Sequence, residues 1–176
     1  MTDTMLEVHP DPTDERYMRE ALIEAAQAAA AGEIPVGAVL VSRERIVSRT
    51  HNRREASGDP TAHAEILALR EAAALQKHWR LAEATLYVTL EPCPMCAGAL
   101  VQARVKRLVY GASDPKAGAA GSLMNIVADA RLNHRVEVTS GILAEECGRI
   151  LKEFFQKRRK KSGDSESADP ERWLSG

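Results

Sequence analysis

Thr85-Leu86-Tyr87-Val88-Thr89-Leu90 runs directly into Glu91-Pro92-Cys93-Pro94-Met95-Cys96. The first half alternates, but it is too apolar for a strand with one wet face, so it reads as a central strand of its sheet. A helix starts near Pro94 and extends to about residue 103. Further along, residues 105–110 and 136–139 are two more strands, and residues 142–160 a last helix. Between those strands, residues 114–133 are long and rich in Gly and Ala, which in a compact domain suggests a functional loop.

Upstream of the central strand, Asp59-Pro60-Thr61 breaks the chain and residues 62–78 read as a helix. Pro35-Val36-Gly37-Ala38-Val39-Leu40-Val41 and Arg45-Ile46-Val47-Ser48-Arg49-Thr50 flank a turn at Ser42-Arg43-Glu44, an antiparallel hairpin. Thr13-Asp14-Glu15-Arg16 has the form of an N-cap with an acidic first turn. It opens a helix that carries Tyr17, Ala21, Ile23, Ala25 and Ala28 and stops at Gly32. This order predicts an α/β protein, a three-layer α/β/α sandwich around a five-stranded mixed sheet. Residues 1–12 are expected to be a loose arm, 13–161 the single domain, and 162–176 a solvated tail.

The chain has 176 residues, enough to bury a core as one domain. Aromatic residues make up only 4%, so Ala, Val, Leu and Ile must build that core. With 24 basic and 25 acidic residues the net charge is -1, which leaves nucleic-acid binding to a local patch. No charged segment followed by an apolar run opens the chain, and no apolar stretch is long enough for a membrane helix, so a cytoplasmic protein without a membrane partner is expected.

The chemistry concentrates in two segments, Pro60-Thr61-Ala62-His63-Ala64-Glu65 and Glu91-Pro92-Cys93-Pro94-Met95-Cys96. Each sits after a loop at the start of a helix. Cysteines three apart in a first turn point the same way, and the positive end of the helix favours their thiolates. One imidazole and two thiolates, from His63, Cys93 and Cys96, leave the fourth tetrahedral position of a zinc ion to water, the catalytic pattern. Their charges cancel that of the ion, so a carboxylate that takes the water's proton would help. Glu65, two residues beyond His63, is the candidate. The competing readings are a closed site completed by Cys147, whose helical context suits a buried small hydrophobe better, and a redox cysteine pair, which leaves His63-x-Glu65 unexplained.

His-x-Glu followed about 30 residues later by Pro-Cys-x-x-Cys is the signature of zinc nucleobase deaminases. Beyond it stand Glu33-Ile34-Pro35-Val36-Gly37-Ala38-Val39 and Asn52-Arg53, and Gly118-Ala119-Ala120-Gly121-Ser122-Leu123, Asn133-His134-Arg135-Val136-Glu137 and Phe154-Phe155-x-x-Arg158-Arg159 narrow the match. With these segments the chain resembles, from about residue 17 to 159, the tRNA-specific adenosine deaminase family of the cytidine-deaminase-like superfamily. The resemblance implies conversion of adenosine to inosine at position 34 of a tRNA anticodon, one zinc per subunit, and a homodimer whose two subunits both touch the anticodon stem-loop. It implies that Asn52 hydrogen-bonds the flipped nucleotide and that the Ala64 amide faces the base. Asp114 would meet a neighbouring nucleotide and Lys116 the backbone, with Phe155, Arg158 and Arg159 beside the anticodon loop.

Plainer readings stand beside these. Asn52 and Asp114-Pro115 are ordinary turn residues, and the basic run 157–161 ends a helix, where cations suit the macrodipole. Phe154 and Phe155 cannot both face the core, so one is a candidate stacking platform. His134 reads as structural, while His9, His51 and His78 have no evident role. A deaminase of free cytosine, guanine or nucleotides would use the same zinc site, and a catalytically dead RNA-binding subunit is the alternative from outside enzymology.

Overall fold

A computed structural model describes residues 11–162; the expected N-terminal arm, apart from residues 11 and 12, and the tail beyond residue 162 lie outside them. Ten elements follow one another: α1 (Pro12–Ala30), β1 (Gly37–Ser42), β2 (Arg45–His51), α2 (Arg54–Ser57), α3 (Ala64–Gln76), β3 (Ala84–Leu90), α4 (Pro94–Gln102), β4 (Arg107–Ala112), β5 (Glu137–Ser140) and α5 (Ala144–Ser162). The five strands form one sheet in the order β2-β1-β3-β4-β5, so β3 is central, as its apolar sequence requires. β1 is antiparallel to β2 and β3, whereas β3, β4 and β5 are parallel.

Strand alternation sorts the core into two layers. Leu40, Leu86, Val88 and Leu108 point to the side covered by α3 and α4, where they meet Ala68, Leu69, Ala97 and Leu100. Val39, Tyr87 and Val109 point the other way, against Tyr17, Met18 and Ala21 of α1 and Cys147 of α5. The result is the expected α/β/α sandwich around a mixed sheet. Tyr87 also donates to Asp14 at 2.9 Å, and Arg107 grips the same carboxylate through two bonds of 2.8 and 2.7 Å, a buried network between α1 and the sheet.

Local sequence explains the element ends. The cap of α1 is Asp11, not Thr13: its Oδ1 accepts the Thr13 amide at 2.9 Å, and Pro12 takes the first helical position, where its fixed φ is suited and its missing N–H costs nothing. At the other end Gly32 adopts φ +80°, and the amides of Gly32 and Glu33 bond the carbonyls of Ala29 and Ala28 at 3.1 and 2.9 Å, the Schellman closure that glycine permits. The β1–β2 hairpin turns on Arg43 and Glu44 alone, both left-handed at φ 49° and 62°, because the strands pair as far as Ser42 and Arg45.

One element has no sequence counterpart. The single turn α2 is held from outside by Glu33, which is 2% exposed and accepts the amides of Ala56 at 2.7 Å and Glu55 at 3.3 Å. The crossover from β3 through α4 to β4 leaves the carboxyl end of β3 open beside the start of β1, where strand direction reverses. Clefts for ligands form at such switch points. Among the described residues, no helix is long and apolar enough to cross a membrane.

Candidate metal centre and active site

Two helix N-termini converge at that switch point. His63 is the N-cap of α3 and Cys93 the N-cap of α4, with Cys96 in the first turn after Pro94. His63 Nδ1 lies 3.6 Å from Cys93 Sγ and 3.5 Å from Cys96 Sγ. Zinc bound tetrahedrally at about 2.0 Å from nitrogen and 2.3 Å from sulfur sets those atoms about 3.5 Å apart, so the residues fit the ion without rearrangement. Among the described residues the group of candidate ligands comprises these three and no fourth. Cys147 is fully buried in the core layer beneath α1 and α5, on the opposite side of the sheet from α3 and α4, which removes the closed-site reading.

The donors are electrostatically coupled. A hydrogen bond from Cys96 does most to lower Cys93, to about 4; burial opposes this, and His63 adds a second bond. Giving that proton, together with burial, pushes Cys96 far up. The bond to Cys93 raises His63 against its own burial. The trio therefore already keeps one thiolate and shares protons that a divalent cation displaces on binding.

Glu65, in the first turn of α3, is 3% exposed, and burial lifts its carboxyl from 4.5 to about 7. A hydrogen bond with its own backbone amide and the charge of His63 only partly offset the burial. Its Oε2 has no hydrogen-bond partner, and neither has Oδ1 of Asn52, at the end of β2. Leaving a buried polar atom unpaired costs about 1–3 kcal/mol. Two such atoms lining one cavity mark where a polar ligand completes the structure.

That cavity, of about 130 Å³, is lined by His63, Ala64, Glu65 and Cys93, by Asn52 and Asp114, and by Phe155 from α5. Four residues given only by resemblance (Asn52, Ala64, Asp114 and Phe155) are therefore brought to the metal group. Ala64 is pinned from β2, its carbonyl accepting the Thr50 hydroxyl at 2.7 Å. Asp114 is both a turn residue and a pocket residue: its Oδ1 accepts the amides of Lys116 and Ala117 at 3.0 and 3.1 Å. Lys116, Arg158 and Arg159 do not line the cavity. The Arg158 guanidinium lies 6.0 Å from the ring centre of Phe154, whose edge meets Phe155. Both rings are half-buried, so neither is given up to the core.

Sequence reasoning passed over Arg54 and Glu91, which also line the cavity. Arg54 sits in the one-turn helix that no pattern announces, although it follows Asn52-Arg53 directly. Glu91 belongs to the quoted Glu-Pro-Cys segment, yet only the fold shows what its carboxylate holds. Burial alone would raise Glu91, but bonds from Ser122, Asp114 and Ala120 outweigh it and hold the group below the usual value. Two histidines without a role acquire one: His51 Nδ1 faces Glu24 at 2.8 Å, and His78 accepts the Arg80 amide at 3.0 Å. His134 is structural as expected, bonding the Val105 carbonyl at 2.7 Å, and His9 lies outside the described residues.

Three donors at two helix starts, a buried carboxyl beside them and a cavity the size of a small ring define a hydrolytic deaminase centre. Comparison with known proteins agrees. The family model of the MafB19-like deaminases matches residues 13–159. A Bacillus subtilis (strain 168) protein named tRNA-specific adenosine deaminase is 55% identical over 148 residues, covering 84% of this chain and 92% of its own. One of the same name from Haemophilus influenzae is 57% identical over 147 residues, covering 83% and 85%. A solved structure from a study of A-to-I editing by tRNA:A34 deaminases at the wobble position of transfer RNA is 45% identical. It superposes with a TM-score of 0.75, covering 77% of this chain and 99% of that one. The chain belongs to the MafB19-like deaminase family, among relatives named tRNA-specific adenosine deaminase.

Proposed function

We propose that the chain is a zinc-dependent tRNA adenosine deaminase that converts adenosine to inosine at position 34 of the anticodon. The observation that carries this is the unpaired Oε2 of Glu65 beside the His63–Cys93–Cys96 group, in a chain 55% identical to a tRNA-specific adenosine deaminase. His63, Cys93 and Cys96 would hold the ion. Zinc, when bound, supplies a Lewis acid that makes water a nucleophile at neutral pH.

The remaining steps belong to side chains. Glu65, with its carboxyl poised near neutrality, takes the proton of the attacking water. It passes that proton to the ring nitrogen next to the reacting carbon as the water oxygen adds there. Glu65 then takes the proton of the newly added hydroxyl and delivers it to the exocyclic amine; the oxygen becomes the carbonyl of inosine as the carbon–nitrogen bond breaks and ammonia leaves. Asn52 uses its free Oδ1, and Ala64 its backbone amide, to hold the flipped base. Asp114 meets a neighbouring nucleotide and Lys116 the backbone, with Phe155, Arg158 and Arg159 against the anticodon loop. The enzyme works as a cytoplasmic homodimer with one zinc per subunit and binds the anticodon stem-loop from both subunits, in keeping with a net charge of -1 that leaves RNA binding to such local groups. Residues 13–161 are its catalytic domain.

The reading is tested by offering purified protein an anticodon stem-loop with adenosine at position 34, alongside free guanine and cytosine. Deamination of the stem-loop with the free bases untouched is expected. Turnover of a free base with the stem-loop left intact would overturn it in favour of a small-molecule deaminase.

A further inference from the structure

Glu91 is a buried carboxylate, 2% exposed, and none of the ion pairs among the described residues involves it. Backbone and hydroxyl donors satisfy it instead, and all of them come from one loop. Its Oε2 accepts the Asp114 amide at 2.9 Å and the Ser122 hydroxyl. Its Oε1 accepts the amides of Ala120 at 3.1 Å and Ser122 at 3.0 Å. One side chain thus gathers both ends of residues 114–122. The loop docks on the same turn a second time, where Ala119 donates to the Pro92 carbonyl at 2.8 Å. Gly118 passes directly over the carboxylate, and a Cβ there would overlap the Glu91 carboxyl and the Asp114 carbonyl.

Chain order gives this arrangement its consequence. Glu91 stands two residues before Cys93, so the anchor of the loop and a candidate metal ligand share one rigid turn. Asp114 and Ala117 of the loop line the cavity with Glu91 itself. A charge buried this way is costly unless it is fully hydrogen-bonded, and an apolar residue would fill the space without that cost. What the carboxylate adds is register between the loop and the metal-ligand turn.

We infer that Glu91 is a positioning residue: it fixes the 114–122 loop relative to the metal-ligand turn, and so sets how the nucleotide beside the target base is recognised. The substrate half of this rests on the function proposed above; the tethering half does not. Glu91→Gln preserves shape but places an NH2 against one set of N–H donors whichever way the amide turns. Losing a hydrogen bond to a charged group corresponds to roughly a 10- to 100-fold effect.

The test compares the native enzyme with Glu91→Gln and with Ser122→Ala, a smaller change at a residue exposed as a whole that removes one hydroxyl donor to Glu91. Amide hydrogen exchange of residues 113–124 is read against residues 94–103, with metal per chain, kcat and KM on the anticodon stem-loop and on one lacking the base next to the target. Faster exchange in the loop alone, unchanged metal, and a KM rise of roughly 10- to 100-fold on the intact stem-loop but not on the abasic one are expected. Ser122→Ala should move the same readouts by a few-fold. Unchanged loop exchange, or metal lost in step with activity, overturns the tether. Faster loop exchange with an unaltered preference between the two RNAs overturns the recognition role. A native enzyme that ignores both RNAs refutes the proposed function and with it the recognition half, while the exchange data still decide the tether.

Discussion

Replacing Glu65 by Gln should make the metal-free protein more stable and the enzyme nearly inert. The carboxyl is 3% exposed, and burial raises it from 4.5 to about 7. A raised carboxyl binds its proton more tightly folded than unfolded, so its contribution is fully present below about pH 4.5 and is lost as pH climbs through 7. A shift of that size corresponds to about 3 kcal/mol of destabilisation at pH 8. Gln is isosteric and never ionises, so the variant escapes that loss. Urea unfolding of chelator-treated protein at pH 4.5 and pH 8 should show the two forms similar in acid and the variant about 3 kcal/mol more stable in base. In the same preparation reloaded with zinc, kcat should fall by about 10²–10⁴ or more, the worth of a positioned proton carrier, with metal content unchanged. A variant less stable than the native protein at pH 8, or one that loses its metal, would refute the reasoning and make Glu65 a ligand or a hydrogen-bonded structural group.

Further outcomes follow from the same geometry. Cys147→Ala should retain metal and turnover at a stability cost of about 1 kcal/mol, since Cys147 sits in the opposite core layer; metal analysis that finds the ion gone would restore the closed site. Asp14→Ala leaves the Tyr87 hydroxyl unpaired and the Arg107 guanidinium with Thr139 alone, and should cost about 2–4 kcal/mol in denaturant unfolding while leaving kcat at low temperature unaltered. Arg158→Ala and Arg159→Ala should each weaken stem-loop binding and flatten its dependence on log salt by about one unit. An unchanged slope places those side chains away from phosphates.

The layered sheet and the metal triad were legible in the sequence for different reasons. β3 betrays its central place because neither of its faces is polar enough to be a wet one, and the triad because Pro92-Cys93-x-x-Cys96 and His63-x-Glu65 each open a helix. What stayed hidden is long-range polar pairing. Glu33 capping α2, Glu91 gathering residues 114–122 and Glu24 facing His51 are partners 23 to 31 residues apart in four of their contacts. No periodicity marks such bonds, and an isolated Glu looks like solvated surface. Helix starts were blurred where two capping residues adjoin: Asp11 and Thr13 are both suited, and the choice turns on Pro12 filling the first helical position. The short helix α2 escaped because its stabilising acceptor comes from another part of the chain.

The central claim is tested most directly by mass spectrometry of tRNA digested after incubation with the zinc-loaded protein. A gain of about one dalton at the adenosine of position 34 and at no other, absent from the Glu65→Gln variant, is the result predicted for amine-to-oxygen exchange. An unmodified anticodon after incubation with fully metallated protein would contradict it.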